Sequence, residues 1–176
     1  MTCAAGHRVL IVKLGAAGDV VRTTPLLHLL RDADVHWFTT AQNAPLIGDP
    51  DVNVAVTVDQ LAERCRHFDL VVSLEEDNEL LATLATRLSW ERWIGARPGP
   101  DEYTEELASW FDMGLISRFG RAEADRRKYA NRRSYQEHLF AALGATFADE
   151  RYKLPSPTAA LPLRAVIGIA AQSGPR

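Results

Sequence analysis

Cysteine is scarce in this chain: only Cys3 and Cys65 occur in 176 residues, with no C-x-x-C pair and no Cys/His cluster. Neither a disulfide framework nor a sequence-local zinc site is therefore expected, and both thiols read as reduced. Long apolar runs are also lacking. None approaches the ~20 residues needed to cross a bilayer, and Arg8 and Lys13 break up the N-terminal apolar stretch, which argues against a signal peptide. These absences predict a cytoplasmic chain. Internal repeats and low-complexity tracts are missing too. What remains, 47% hydrophobic and 24% charged residues, suits one sizeable core.

The net charge of -3 conceals an asymmetry. Residues 1–116 carry 9 Lys+Arg against 18 Asp+Glu, whereas residues 117–176 carry 11 against 5. Much of the positive excess lies between Arg118 and Arg133, where seven basic residues accompany two acids, Glu123 and Asp125. Such a segment can be a solvated helix face, or it can attract a phosphorylated acceptor or the anionic inner face of a membrane. A nucleic-acid partner is not expected, because the whole chain is acidic and no aromatic residues interleave with the cations in a stacking pattern.

Short apolar segments rich in β-branched residues recur along the first half. His7–Val12, Val35–Thr39, Val52–Val56, Asp69–Leu74 and Trp90–Ile94 read as strands, each apolar throughout rather than alternating, as strands buried on both faces are. Helical patterns separate them. Val20–Arg31 has apolar residues at helical spacing, Thr57 with Gln60 has capping-box spacing, and Asp77 opens a helix over Asn78–Leu88. The alternation predicts an α/β fold, a doubly wound parallel sheet of Rossmann type. After Gly95 the pattern changes: Arg97–Pro100 is loop by composition, Tyr103–Phe111 reads as loosely helical, and Ala122–Arg133 as a charged helix. Ser134 and Glu137 form a second capping box, opening a helix that Gly144 ends. The expected organisation is a Rossmann-like domain over residues 1–153, a Pro-rich linker over 154–163, and over 164–176 a strand, Arg164–Ala171, that begins a further domain.

The turn Lys13-Leu14-Gly15-Ala16-Ala17-Gly18-Asp19 joins the first strand to the first helix. It is not a P-loop, because Asp19 follows Gly18 where a lysine would be needed. A dinucleotide fingerprint needs three glycines and an acid after the second strand, and here there are Gly15, Gly18 and Thr39-Thr40. An aspartate at the helix N-terminus also repels the phosphate such a site would hold. Two readings of Asp19 stay open: a general base that takes the proton of an attacking hydroxyl, or an acid that only complements the helix dipole by ~0.3–1 kcal/mol. On the first, Gly15 and Gly18 let an acceptor approach the backbone, while Lys13 and Arg22 orient its phosphates or carboxylates by charge-assisted hydrogen bonds. Thr23 offers a hydroxyl in the same region, to ligand or to backbone. Glu75, Glu76 and Asp77 cluster after the fourth strand, where carboxylates can hold sugar hydroxyls, although a helix cap is the plainer reading for Asp77.

The run from Val9 to Leu27, VLIVKLGAAGDVVRTTPLL, resembles the N-terminal signature of glycosyltransferase family 9, the ADP-heptose:lipopolysaccharide heptosyltransferases. Val72–Asp77 and Trp110–Gly120 are similar to later pieces of the same family. The resemblance covers the N-terminal half of a family member. It implies a GT-B architecture of two Rossmann-like domains facing a cleft, and metal-independent inverting transfer from a nucleotide-sugar such as ADP-heptose, with no cofactor. The turn's lack of a D-x-D pair agrees with the absence of a metal requirement. By the same resemblance Asp19 matches the base, this half holds the glycan or glycolipid acceptor, and the donor contacts come from a second domain. Alternatives from other classes are a non-catalytic module that captures a sugar or nucleotide, and an oxidoreductase, which the missing acid after the second strand disfavours. His28, His36, His67 and His138 show no ligand spacing, and Trp110 lies where it can wall an acceptor groove.

Overall fold

The computed structural model describes residues 6–99 and 102–156. Five parallel strands form one sheet in the order β3-β2-β1-β4-β5: β1 Arg8–Val12, β2 Asp34–Phe38, β3 Asn53–Ala55, β4 His67–Ser73 and β5 Ser89–Gly95. The α/β doubly wound architecture is thus as expected, with strand ends shifted by a residue or two. β1 lies at the centre, with Val9 paired to Val35 on one side and to Leu70 on the other. Val9 through Val12 are fully buried because both faces of β1 are covered: Leu10 and Val12 join one apolar cluster with Phe68, Val71, Leu81 and Leu84, whereas Val9 and Ile11 join another with Val20, Leu27 and Trp37. A parallel strand in this position needs a continuous apolar run, which HRVLIV supplies.

Strand order reverses between β1 and β4. In open α/β sheets the carboxyl ends of strands at such a switch form the ligand crevice, so the β1 turn and the Glu75 region are brought side by side by topology alone. At the neighbouring edge β5 ends in Gly95, whose φ of 105° and close approach to the Ser73 carbonyl leave no room for a Cβ.

The first helix departs from expectation. Instead of one helix over Val20–Arg31 there are two, α1 Ala17–Thr23 and α2 Leu26–Leu29. Pro25 has no N–H to donate back to the Val21 carbonyl, which accepts instead from the Thr24 amide at 3.1 Å and the Thr24 hydroxyl at 2.8 Å. Helices α3 (Val58–Arg64) and α4 (Asn78–Arg87) start at the caps read from sequence, Thr57 accepting from the Gln60 amide and Asp77 from the Leu80 amide.

Beyond the sheet the loosely helical expectation for Tyr103–Phe111 is met only by successive turns, with the Ala108 and Phe111 amides donating to the Thr104 and Leu107 carbonyls, and not by a regular helix. Tyr103 bridges antiparallel to Ala96, and turns fill the stretch up to α5, Asp112–Phe119, a helix that the sequence reading did not anticipate. Thr104 fixes the change of direction, its hydroxyl accepting from the Gly95 amide at 2.9 Å. The charged helix α6 spans Arg121–Ala130 rather than Ala122–Arg133. The Ser134/Glu137 capping box is fully formed at the start of α7, Tyr135–Ala142, and Gly144 follows its end with φ 71°.

The chain then returns to the N-terminal half: the Lys153 amide donates to Thr24 Oγ1 and its ammonium to Asp49 Oδ2 at 2.6 Å. The expected strand Arg164–Ala171, with the linker after residue 156, lies outside the described residues. No helix among the described residues is long and apolar enough to cross a membrane.

Candidate functional site

The β1 turn is clamped from both neighbouring strands. From the β4 side, Glu75 Oε1 accepts from the Leu14 amide at 2.6 Å, the Gly15 amide at 3.3 Å and the Lys13 ammonium at 2.8 Å. From the β2 side, Asn43 donates its side-chain amide to the Leu14 carbonyl at 2.5 Å, and Trp37 Nε1 donates to the Lys13 carbonyl at 3.4 Å. Lys13 is buried and Glu75 nearly so. A carboxylate that accepts two amides and an ammonium is well compensated for its desolvation. Lys13 and Glu75, expected to face an acceptor, thus form an ion pair that shapes the turn. Glu76 is held by Tyr103, whose hydroxyl donates to Glu76 Oε1 at 2.7 Å.

With the turn fixed, α1 starts at Ala17 and Asp19 falls in its first turn, half-exposed. Arg22 lies one turn on, its guanidinium 3.5 Å from Asp19 Oδ1 and stacked 4.4 Å from the Tyr135 ring centroid. Gly18 has nothing within 4 Å of where a Cβ would stand, so packing does not demand glycine there and the backbone is open to approach. At Gly15 a Cβ would meet only Asn43 Nδ2, at 3.7 Å.

Thr23 is fully buried, and its hydroxyl donates to the Asp19 carbonyl at 2.8 Å. That uses its single proton, so the Tyr135 hydroxyl, 2.8 Å away, is the donor in the second bond. Burial above all pushes the Tyr135 phenol far above its ordinary value; the Asp19 and Glu75 carboxylates reinforce the rise and Arg22 opposes it. The phenol therefore stays protonated, as its donor role requires. Through this bond α7 is docked on α1, and the Asp19–Thr23 turn keeps its place. Thr23 acts from inside the protein rather than toward a ligand.

Beside Arg22 opens a cleft of about 600 Å³, walled by Trp110 and Tyr135 and bordered by Arg127, Lys128, Arg133 and His138. No carboxylate is among its lining residues that the structure describes. Asp19 does not line it but stands at its margin, connected through Arg22. The Arg118–Arg133 segment divides accordingly. Arg118 pairs with Glu105, while Arg126 and Arg127 share Glu123, and these arginines hold both carboxyls below their ordinary range. Lys128 and Arg133 border the cleft. His138 is kept below its usual value, first by burial and then by Arg133 against the opposing pull of Glu137; its Nε2 donates to Asn131 Oδ1 at 3.2 Å.

Of the residues expected to act, the fold brings Asp19, Gly18 and Arg22 to one exposed rim. Lys13, Thr23 and Glu75 lie beneath it. Asn43 and Tyr135 were missed, because each acts across more than 25 residues of sequence and carries no local motif; only the capping box before Tyr135 marked its position. No family model, curated protein or solved structure matches the chain.

Proposed function

We propose that the protein is the acceptor-binding half of a heptosyltransferase-type glycosyltransferase, and that Asp19 is its general base. The single observation that carries this reading is the half-exposed Asp19 carboxylate at the switch point of the sheet, joined through Arg22 to a cleft whose charged side chains, among the described residues, are all basic. The cleft suits a glycan or glycolipid acceptor bearing phosphate or carboxylate groups, with Arg22, Lys128 and Arg133 as counter-charges and Trp110 as an apolar wall for a sugar ring.

In the reaction so read, the Asp19 carboxylate accepts the proton of an acceptor hydroxyl as its oxygen attacks the anomeric carbon of a nucleotide-sugar such as ADP-heptose. The bond from that carbon to the nucleoside diphosphate breaks, and configuration inverts. Arg22 has two duties: it orients the Asp19 carboxylate and faces the acceptor anion. By the resemblance of Val9–Leu27 to glycosyltransferase family 9, the donor is held by a second Rossmann-like domain.

The test is sugar transfer by a polypeptide that carries this domain together with a donor-binding domain. Asp19→Asn, nearly isosteric, is expected to lower the transfer rate by ~10²–10⁴-fold with unchanged circular dichroism and acceptor affinity. Near-normal turnover in that variant excludes Asp19 as the base. The competing reading, a non-catalytic module that captures a nucleotide, predicts tight ADP binding by this chain and indifference to Asp19.

A further inference from the structure

At the opposite end of the sheet, His67, Asp69 and Glu91 stand together on one face. His67 and Asp69 are two residues apart on β4, so their side chains share a side. The register Phe68↔Trp90 and Leu70↔Arg92 sets Asp69 opposite Glu91 on β5. A ring nitrogen of His67 and one carboxylate oxygen from each acid lie within 4.8 Å of one another. We propose that these three residues form a site for a divalent transition-metal ion of the zinc type, fastening the starts of β4 and β5 together.

Two further observations point to a cation. Like charges directly across neighbouring strands are destabilising, yet Asp69 and Glu91 face each other so, and no hydrogen bond or ion pair engages the Glu91 carboxylate among the described residues. Asp69 Oδ2 accepts from the Arg8 amide at 2.7 Å, a neutral donor that leaves the pair's charge in place. The second observation concerns the imidazole. Ser89 Oγ donates its one proton to the Arg66 carbonyl at 3.3 Å, so the contact between Ser89 Oγ and His67 Nδ1, 3.0 Å long, has the ring N–H as donor. With Nδ1 as the donor, the ring nitrogen left to bind a cation is Nε2. A metal-binding histidine is normally held in this way by a partner outside the ligand set.

Distance and ligand chemistry agree with this assignment. Ligand atoms in a tetrahedral zinc site with bonds near 2.1 Å are about 3.4 Å apart, so the set, now within 4.8 Å, tightens on binding through the exposed Glu91 side chain while Ser89 keeps the His67 ring in place. One imidazole with two carboxylates favours zinc, cobalt or nickel over magnesium or calcium, which prefer all-oxygen shells. His7, whose Nδ1 is 3.9 Å from Asp69 Oδ2, is placed to supply a fourth ligand or to leave that position to water. Two of the ligands come from β4 and the third from the neighbouring strand β5, far along the chain, which is why histidine spacing does not reveal them.

The test is calorimetric titration of the 176-residue chain with Zn²⁺, repeated with Co²⁺ to read its visible absorption, and with His67→Ala, Glu91→Gln and Ser89→Ala. The expected result is one ion per chain and a melting temperature raised by zinc. Loss of either ligand should weaken binding by more than the ~10–100-fold typical of an outer-shell change, and Ser89→Ala should fall within that range. His28→Ala, remote from the cluster, serves as the control and should bind normally. Absence of binding by the unaltered chain overturns the proposal, as does binding that survives in both His67→Ala and Glu91→Gln. Equal loss in His28→Ala and the cluster variants also overturns it. Glu91→Gln is an exposed substitution, so a well-folded variant is available even if His67→Ala perturbs β4.

Discussion

Tyr135 shows how one buried hydroxyl can serve a site that it does not enter. Its proton goes to Thr23, whose own proton goes to the Asp19 carbonyl, and this chain of donors runs from α7 to the turn that carries Asp19. Tyr135→Phe keeps the ring under Arg22 and against Trp110 but removes the donor. The expected cost is ~0.5–1.5 kcal/mol of stability, read from chemical denaturation, with a smaller loss of acceptor affinity than for Arg22→Gln. Asp19 itself was legible in the sequence because it is fixed by a local turn motif. Its supporting residues were not, since hydrogen bonds between Leu14 and Asn43 or between Thr23 and Tyr135 depend on how elements pack.

Elements were legible where local chemistry decides them. Continuous apolar runs flanked by turns gave five strands, and Thr57, Asp77 and Ser134 marked three helix starts through side-chain caps. The failures have equally local causes. Periodicity carried the first helix straight through Pro25, although that residue ends the backbone ladder, and α5 went unseen because its N-cap, Phe111, makes no side-chain cap. The ion pair beneath the turn gives a prediction at this scale. Glu75→Ala strands the buried Lys13 ammonium and the Leu14 and Gly15 amides, and should cost about 3 kcal/mol, the lower part of the range for breaking a buried pair, because Glu75 retains some solvent contact. Paired replacement of Lys13 by Met and Glu75 by Gln should recover part of that loss in thermal denaturation. At the start of α7, Ser134→Ala removes the capping box and should cost ~1 kcal/mol.

Over the whole molecule, charge is sorted by region: the sheet half is acidic, and the basic excess gathers around the cleft. His138 links this arrangement to pH. Its folded value lies below the ordinary 6.5, so between that value and 6.5 the unfolded chain binds more protons than the folded one. Its contribution to stability is therefore full above pH 6.5 and declines as pH falls below it. His138→Gln should flatten that part of the stability curve, measured by denaturation at successive pH values. An anion in the cleft favours the charged imidazole, so its affinity should rise as pH falls through the same window, and should weaken with salt because screening sets in over about 10 Å at 0.1 M. The most direct test of the acceptor-site assignment is titration of this chain with a phosphorylated core glycan, its dephosphorylated form, and an ADP-sugar. The account predicts binding of the phosphorylated glycan, weakened about tenfold by Arg22→Gln or Arg133→Gln, with little affinity for the ADP-sugar; tight ADP-sugar binding with no glycan binding would contradict it.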